Sequence, residues 1–373
     1  MVQSAGNKST CPLNVGDSIE NNISELQVGS SETIRENAYY LFKKSYYNYY
    51  NKNIDIDEDW LNWFIGFVEG DGAILGYKDR LNLVITQKDI KVLEEIKEKL
   101  GIGYINYIYN ENDQFKSSKE LQKDSKNLVY GRYIIYDINN IFLMYLIFNG
   151  NLYLKNRNLQ LKVWYEYLIK SKNLNLKKWG IDSVPELKEN KKKISLDNSW
   201  LEGFTDAEGC FSIRIFKQHG KDYVKITYIL DQKNEPEILN EISMLFCNKN
   251  LAKLRKTKNN NMYRIEVSCN DINKDIHKKI KDYFLKYKLK TTKRKSFNIW
   301  IETMNIALGN QPLDEIKIKY IRKLRNSLNK YNIKNKSIGH SQIIFISLYD
   351  SMYAIFIASF FRWVVQNVTV HLE

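Results

Sequence analysis

Residues 64–72 read FIGFVEGDG, and residues 201–209 read LEGFTDAEG. Both nonapeptides have a glycine third, an acidic residue sixth, a small residue seventh, an acidic residue eighth and a glycine ninth. The copies lie 137 residues apart, counted from Asp71 to Glu208. A segment repeated at this separation indicates two copies of one structural unit within a single chain.

Small residues recur at helical spacing inside each nonapeptide. Gly66 and Gly70 stand four residues apart, as do Gly203 and Ala207. Residues at this spacing share one face of an α-helix, and small side chains there let two helix backbones approach closely. We therefore expect the two nonapeptides to form helices that pack against each other through these four residues.

The eighth-position acids, Asp71 and Glu208, would then lie side by side at the ends of the two helices. The helix dipole is negative at its C-terminal end, so two carboxylates are unfavourable there without a cation. Hard divalent ions such as Mg²⁺ or Ca²⁺ bind carboxylates and backbone carbonyls. Bound metals of this kind stabilise the attacking and leaving oxygens of phosphodiester hydrolysis. The alternative, that the two acids only end two helices, is weakened because the motif occurs twice in matching contexts.

The hydrophobic periodicity predicts the same order of elements after each nonapeptide. In the first half the predicted order is a helix at 60–70, strands at 73–77 and 81–87, a helix at 89–100, strands at 102–109 and 128–136, and helices at 138–148 and 157–171. In the second half it is a helix at 199–207, strands at 210–216 and 223–230, a helix at 236–246, strands at 251–257 and 262–268, and helices at 271–286 and 295–307. The sequence therefore predicts an α+β fold of two pseudo-symmetric αββαββα repeats.

These repeats divide the chain into five segments. They are a polar, partly disordered N-terminal extension (1–57), the first repeat (58–171), a polar linker (172–197), the second repeat (198–330) and an apolar C-terminal tail (331–373). The second repeat ends in a basic helix at 313–329. Its basic side chains either contact the DNA backbone or form a solvated face. Residues 343–361 are long enough to span a bilayer. Three interpretations of residues 343–361 remain: a buried or interfacial helix, membrane association, or sequence appended to a complete enzyme.

The composition favours a nucleic-acid partner. The formal net charge is +14, and the basic residues are interleaved with many tyrosines and asparagines. Strongly basic chains bind nucleic acids or, less often, anionic membranes. An A·T-rich genome would produce the same residue bias without any ligand.

The four cysteines and four histidines show no ligand spacing, which argues against a disulfide framework and a His/Cys metal site. The N-terminus has no apolar signal core and no Arg-rich transit peptide, so a protein acting in an organelle is expected to be made there.

Because of its two nonapeptide motifs, the chain resembles a single-chain LAGLIDADG homing endonuclease of the group I intron-encoded type. The resemblance covers residues 58–330. The resemblance implies that Asp71 and Glu208 are catalytic residues that bind Mg²⁺. It also implies that the two antiparallel sheets form a saddle over the DNA major groove, and that cleavage across the minor groove leaves 3′ overhangs. Glu69 and Asp206, at the sixth position, are expected to be non-catalytic helix residues that cap, pair with lysine or face solvent.

Further catalytic candidates follow from the same resemblance. The family often has a glutamine at the end of the second strand that orients water, which here corresponds to Gln87 and Gln232. It also often has a lysine near the scissile phosphates before a late helix. Lys293 fits that place in the second half, and Lys155 is our choice in the first half, with Arg157 as the alternative.

The two halves are not equal. Asp71 lies 16 residues before Gln87, whereas Glu208 lies 24 residues before Gln232. The second hairpin is therefore longer, with its turn at 218–221, and unequal halves predict an asymmetric DNA target. Polar side chains that alternate along the strands are expected to contact DNA; they are Asn82, Arg214, Lys225 and Arg264.

Together these observations predict a monomeric, divalent-metal-dependent endonuclease that cuts double-stranded DNA at a long, asymmetric site. The A·T-biased composition and the resemblance predict that it acts in the mitochondrion. The main alternative is an RNA maturase that binds its host intron RNA, because that role needs the fold and the basic surface but not the acids. A DNA-binding regulator without catalysis is the third possibility. The presence of both acids favours the nuclease.

Overall fold

The structure is a computed structural model that describes residues 31–77, 80–109, 128–255, 261–269, 274–309 and 312–334. The first thirty residues and the apolar stretch at 343–361 lie outside these ranges. Within them, none of the helices combines the length and apolarity needed to cross a membrane.

The first repeat forms a four-stranded antiparallel sheet with helices on its apolar face. Its elements are α1 (Ser31–Tyr50), α2 (Glu58–Asp71), β1 (Gly72–Tyr77), β2 (Arg80–Gln87), α3 (Ile90–Leu100), β3 (Tyr104–Tyr109), β4 (Leu128–Ile135), α4 (Ile138–Phe148) and α5 (Lys155–Leu168). The strand order is β1-β2-β4-β3. Leu81, Leu83 and Ile85 of β2 are buried in the core, as period-two alternation predicts.

The second repeat has the same architecture. After a short helix, α6 (Leu176–Trp179), it comprises α7 (Trp200–Glu208), β5 (Gly209–Gln218), β6 (Lys221–Lys233), α8 (Pro236–Cys247), β7 (Lys253–Leu254), β8 (Met262–Cys269), α9 (Lys274–Lys286), α10 (Lys293–Ala307) and α11 (Glu315–Lys334). The strand order is β5-β6-β8-β7. The predicted α+β fold with two antiparallel four-stranded sheets is confirmed, although only Lys253–Leu254 form a strand among the described residues of the one expected at 251–257.

The two repeats meet where α2 and α7 pack with their backbones in contact. A Cβ atom added to Gly66 would lie 2.0 Å from the carbonyl oxygen of Trp200. A Cβ atom added to Gly203 would lie 1.9 Å from the carbonyl oxygen of Trp63. One turn further on, Gly70 faces the methyl group of Ala207. Only glycine fits at the two closest positions, so the small residues of the motif set the distance between the helices.

Helix α1 lies within the segment that the sequence analysis treats as a partly disordered extension. Phe42 and Tyr46 are buried in the core of the first repeat, and the ring of Tyr49 stacks on Trp179 at 4.0 Å between centroids. The side-chain amide of Asn48 donates to the carbonyl of Trp179 at 3.1 Å. The part of the predicted extension that the structure describes, residues 31–57, is therefore ordered and packs on the first repeat.

The polar linker is also packed. Trp179 is fully buried, the hydroxyl of Tyr145 donates to the carbonyl of Pro185 at 2.6 Å, and the amide of Asn149 donates to the carbonyl of Glu186 at 2.8 Å. The segment that joins the repeats is thus held along α4 by side chains that satisfy its backbone carbonyls.

Candidate active site

The two motif acids lie at the adjoining ends of α2 and α7. Asp71 is the last residue of α2 and Glu208 is the last residue of α7, and each is followed by a glycine in extended conformation. A Cβ atom added to Gly70 would lie 3.1 Å from Cγ of Glu208, so the ends of the helices are in contact. Asp71 is buried and Glu208 is partly exposed. The motif helices therefore bring one carboxylate from each repeat to a common centre.

The surroundings of the two acids oppose their ionisation. Burial raises the pKa of Asp71 above its usual range, against the lowering effects of Lys293, Arg157 and a hydrogen bond from Gln87. Burial likewise raises the pKa of Glu208, and the negative charge of Asp71 raises it further. Two acids that disfavour each other's charge form a site that a bound cation would stabilise.

Two cations lie beneath the acids and bind the last carbonyls of the motif helices. The guanidinium of Arg157, which is buried, donates from Nε to the carbonyl of Glu69 at 3.1 Å and from Nη2 to that of Gly70 at 3.3 Å. The ammonium of Lys293 donates to the carbonyl of Thr205 at 3.2 Å and to that of Ala207 at 2.5 Å. Each repeat thus neutralises the negative end of its own motif helix with one basic side chain.

Lys155 does not lie at this centre. Its side chain is 69% exposed, and Nζ lies 3.5 Å from Glu237 Oε2. Lys155 is the first residue of α5, whereas Arg157, two residues later, faces the end of α2. The structure therefore corrects the choice of Lys155 and places the alternative, Arg157, beside the acids.

The two candidate glutamines occupy the same place in their sheets but bind differently. Gly72 pairs with Ile85, and Gly209 pairs with Leu230, so Gln87 and Gln232 each lie two residues beyond the equivalent pair. The amide of Gln87 donates to the carboxylate of Asp71. The side-chain oxygen of Gln232 instead accepts from the backbone N–H of Lys233 at 3.1 Å.

The sixth-position acids are structural, and the solvent-facing alternative is wrong. Glu69 accepts the backbone N–H groups of Tyr153 and Leu154, both at 2.7 Å. Asp206 accepts those of Lys290 and Thr291, at 2.8 and 3.1 Å. The donor residues of the first repeat lie 137 residues before those of the second, as the motifs do, so this offset could have located them in the sequence.

Sequence reasoning missed a charge network on the second sheet. The predicted DNA contacts Asn82, Arg214, Lys225 and Arg264 all lie on the sheet faces turned away from the core. Arg264 forms a bidentate pair with Asp231, with both N–O distances at 2.7 Å. Lys225 lies 3.8 Å from Glu266, whereas Arg214 is exposed to solvent. Two of these basic side chains, Lys225 and Arg264, are thus paired with acids on the same face.

The donor set at the centre suits a hard cation with few protein ligands. Across the described ranges, His, Cys, Asp and Glu nowhere form a group of three or more that could hold a metal ion. Mg²⁺ typically takes one or two carboxylates together with water and phosphate oxygens, so Asp71 and Glu208 fit it without a third side chain.

Comparisons with known proteins agree with this architecture. The sequence model of a family described as LAGLIDADG endonuclease matches residues 201–304. The chain is 31% identical over 281 residues to "Probable intron-encoded endonuclease 4" of Neurospora crassa, a match that covers 74% of this chain and 45% of the relative. It is 27% identical over 263 residues to "Probable intron-encoded endonuclease aI3" of Dictyostelium citrinum, covering 63% of this chain and 91% of the relative. The chain therefore spans less than half the length of the Neurospora relative.

The fold is shared with solved structures. The LAGLIDADG meganuclease I-AabMI, in a crystal structure bound to uncleaved DNA, is similar with a TM-score of 0.51 and 23% sequence identity. That similarity covers 72% of this chain and 99% of the meganuclease. At this level of identity the likeness establishes the fold.

Proposed function

We propose that the chain belongs to the LAGLIDADG endonuclease family, whose sequence model matches residues 201–304, and that it is a site-specific double-strand DNA endonuclease. The observation that carries the proposal is the meeting of Asp71 and Glu208, one from each repeat, at the ends of two helices in backbone contact. The proposed reaction is hydrolysis of phosphodiesters with a divalent metal, by a monomer, at a long and asymmetric site.

Asp71 and Glu208 would hold the divalent metal, with Mg²⁺ as the proposed ion. When bound, such a metal supplies Lewis-acid stabilisation of the oxygens that gain charge in phosphodiester hydrolysis. Gln87 fixes the orientation of the Asp71 carboxylate through its amide. Lys293 and Arg157 add positive charge next to the place where an anionic phosphate would bind. Gln232 is proposed to contact water or DNA at the equivalent strand end.

The proposed partner is double-stranded DNA that lies across the outer faces of the two sheets. The net charge of +14 and the basic side chains on the second sheet support this placement. The I-AabMI structure was solved with DNA, and the curated relatives are named as intron-encoded endonucleases. By analogy, we propose that this chain is intron-encoded and acts in intron homing in the mitochondrion.

The test uses the purified full chain and the intron-less locus, in which the exons that flank the reading frame are joined. We expect a double-strand cut in Mg²⁺, and no cut from the Asp71→Asn variant. Tight binding of the host intron RNA without any cleavage of the joined exons would overturn the nuclease proposal and favour the maturase.

A further inference from the structure

The hairpin of β5 and β6 is longer than its counterpart in the first repeat. Six residue pairs join β1 and β2, from Gly72 to Tyr77, and ten join β5 and β6, from Gly209 to Gln218. The second hairpin therefore continues for four residues past the level at which the first one ends. At about 3.4 Å per residue, this is an extension of about 14 Å. The extra length has no equivalent in the first repeat.

The extension is a continuous ladder up to its turn. His219 and Gly220 both have positive φ, 49° and 75°, as in the two-residue type I′ turns that follow the twist of a hairpin. Asp222, near the tip, lies 3.3 Å from the guanidinium of Arg322 on α11. The hairpin is thus held from behind by the basic C-terminal helix, whose exposed side also carries Lys319 and Lys323.

An aromatic pair lies on the outer face of this extension. Phe216 and Tyr223 are direct cross-strand partners, and their rings stack at 5.8 Å between centroids with an interplanar angle of 19°. They remain 40% and 41% exposed. Phe211 and Ile213, which lie closer to the centre, are buried in the core. The stacked rings therefore form an apolar surface at the outer end of the sheet.

Basic side chains surround this apolar surface. On the same face of the hairpin, the next cross-strand pair toward the centre is Arg214 with Lys225. The next pair toward the turn is Gln218 with Lys221. An exposed aromatic pair within a basic face suits a ligand that offers an apolar group among negative charges. The major groove of DNA presents one such group, the 5-methyl of thymine, between two lines of phosphates.

We propose that Phe216 and Tyr223 contact thymine methyl groups in the half-site bound by the second repeat. This inference rests on the proposed DNA endonuclease function and adds a specificity element to it. Seven residues separate Gly209 from Phe216, which corresponds to about 24 Å along the strand and about seven base pairs at 3.4 Å each. The second half-site is therefore longer than the first by about four base pairs, and A·T pairs are required near its outer end.

The first experiment asks which bases the full chain selects. The joined-exon duplex is prepared with the base pairs about five to nine positions from the centre randomised on both sides, and cleaved molecules are sequenced. We expect enrichment of A·T pairs about seven positions out on the second-repeat side and no such enrichment on the other. Equal enrichment on both sides, or none, overturns the proposal.

The second experiment removes only the methyl group. Each thymine of the enriched positions is replaced by deoxyuridine, and binding is measured in Ca²⁺. We expect about three- to tenfold weaker binding for at least one replacement, the size expected for one buried methyl group. The double variant Phe216→Ala/Tyr223→Ala should bind the thymine and uracil duplexes equally. Tyr77→Ala, at the outer end of the first hairpin, is the matched control and should keep the discrimination.

The outcomes separate this inference from the function on which it rests. Cleavage of the joined exons without a uracil effect, or a uracil effect that the Phe216→Ala/Tyr223→Ala variant retains, overturns the thymine contact alone. Failure to cleave the joined exons or any randomised duplex overturns the endonuclease proposal and the thymine contact together.

Discussion

The indole N–H of Trp200 donates to the carboxylate of Glu69 at 2.6 Å, across the boundary between the repeats. The reciprocal bond joins the indole of Trp63 to Asp206 at 2.9 Å. Each acid also accepts two backbone N–H groups from its own repeat, from the segment that precedes α5 or α10. One buried carboxylate thus joins a motif helix, its own repeat and the opposite repeat. These contacts give the acidic sixth position of both motifs a structural role.

Replacing Trp200 with phenylalanine should destabilise the chain. The ring is kept, but the buried carboxylate of Glu69 loses one donor, which typically costs about 1–3 kcal/mol in the free energy of unfolding. Urea denaturation of both proteins measures the difference. Trp60→Phe is the matched control, because the Trp60 indole binds the partly exposed Glu95 at 3.2 Å and should contribute less. Equal losses in the two variants would contradict the special role of the bond between repeats.

Much of the centre was predictable because its determinants are local. Gly66 and Gly203 have no side chain at the helix contact, and Asp71 and Glu208 end their helices by their place in the motif. A nine-residue pattern that occurs twice carries this information without knowledge of the rest of the chain. The longer second hairpin, with its turn at 218–221, was predictable from sequence separation for the same reason.

The errors arose where contacts across the chain decide the structure. Helix α1 is rich in Tyr, and two residues near its end, Asn48 and Tyr49, contact Trp179, which lies far along the sequence. The choice between Lys155 and Arg157 depends on where α5 begins, and helix boundaries are uncertain by one or two residues. A shift of two residues turns a side chain from the active centre to the surface.

The two motif acids should be needed for cleavage and not for binding. Asp71→Asn and Glu208→Gln keep the size of each side chain but remove the charge that a divalent metal requires. We expect loss of double-strand cleavage, measured on supercoiled target plasmid, with affinity in Ca²⁺ changed by less than about threefold. The joined-exon duplex and an unrelated duplex serve as specific and non-specific probes. A large loss of specific binding in both variants would show that the acids act by holding the helices together.

The two basic residues beneath the acids should contribute to the reaction, whereas Lys155 should not. Arg157→Ala and Lys293→Ala remove positive charge beside the proposed phosphate site, and each should lower the cleavage rate by about 100-fold, as for loss of one electrostatic contact in a transition state. Lys155→Ala is the control, because its exposed side chain pairs with Glu237. Single-turnover rates at saturating DNA give the comparison. If Lys155→Ala slowed cleavage as much as Arg157→Ala, the assignment of Arg157 to the site would be wrong.

The close approach of the motif helices predicts a severe effect of a single methyl group. In Gly203→Ala, the new Cβ would lie 1.9 Å from the carbonyl oxygen of Trp63, so the helices must separate. We expect a loss of more than about 3 kcal/mol in the free energy of unfolding, at the upper end of overpacking effects. Gly220→Ala is the control; its φ of 75° costs about 1–2 kcal/mol, and no described atom lies within 4 Å of the added carbon. Similar thermal unfolding of the two variants would rule out tight packing at Gly203.

A buried carboxyl at the repeat interface predicts how stability depends on pH. Glu202 is buried, and among the described residues no group bonds its Oε1 atom. Burial, reinforced by the charge of Asp206, raises its pKa to about 9. The unfolded chain has a glutamate pKa of about 4.3, so between these values the folded chain holds a proton that the unfolded chain lacks. The free energy of unfolding contributed by this group therefore falls as pH rises from about 4 to about 9.

Glu202→Gln is neutral at every pH and should remove that decline. We expect the variant to be more stable than the parent by about 1–3 kcal/mol near pH 9, the typical cost of a buried, poorly bonded polar group, with a smaller difference near pH 5. Urea denaturation at several pH values gives the two curves. Glu237→Gln is the control, because the Glu237 side chain is 59% exposed and its replacement should leave the pH dependence unchanged. Since the difference between parent and variant must grow with pH, curves that stay parallel would mean that Glu202 is ionised in the folded protein.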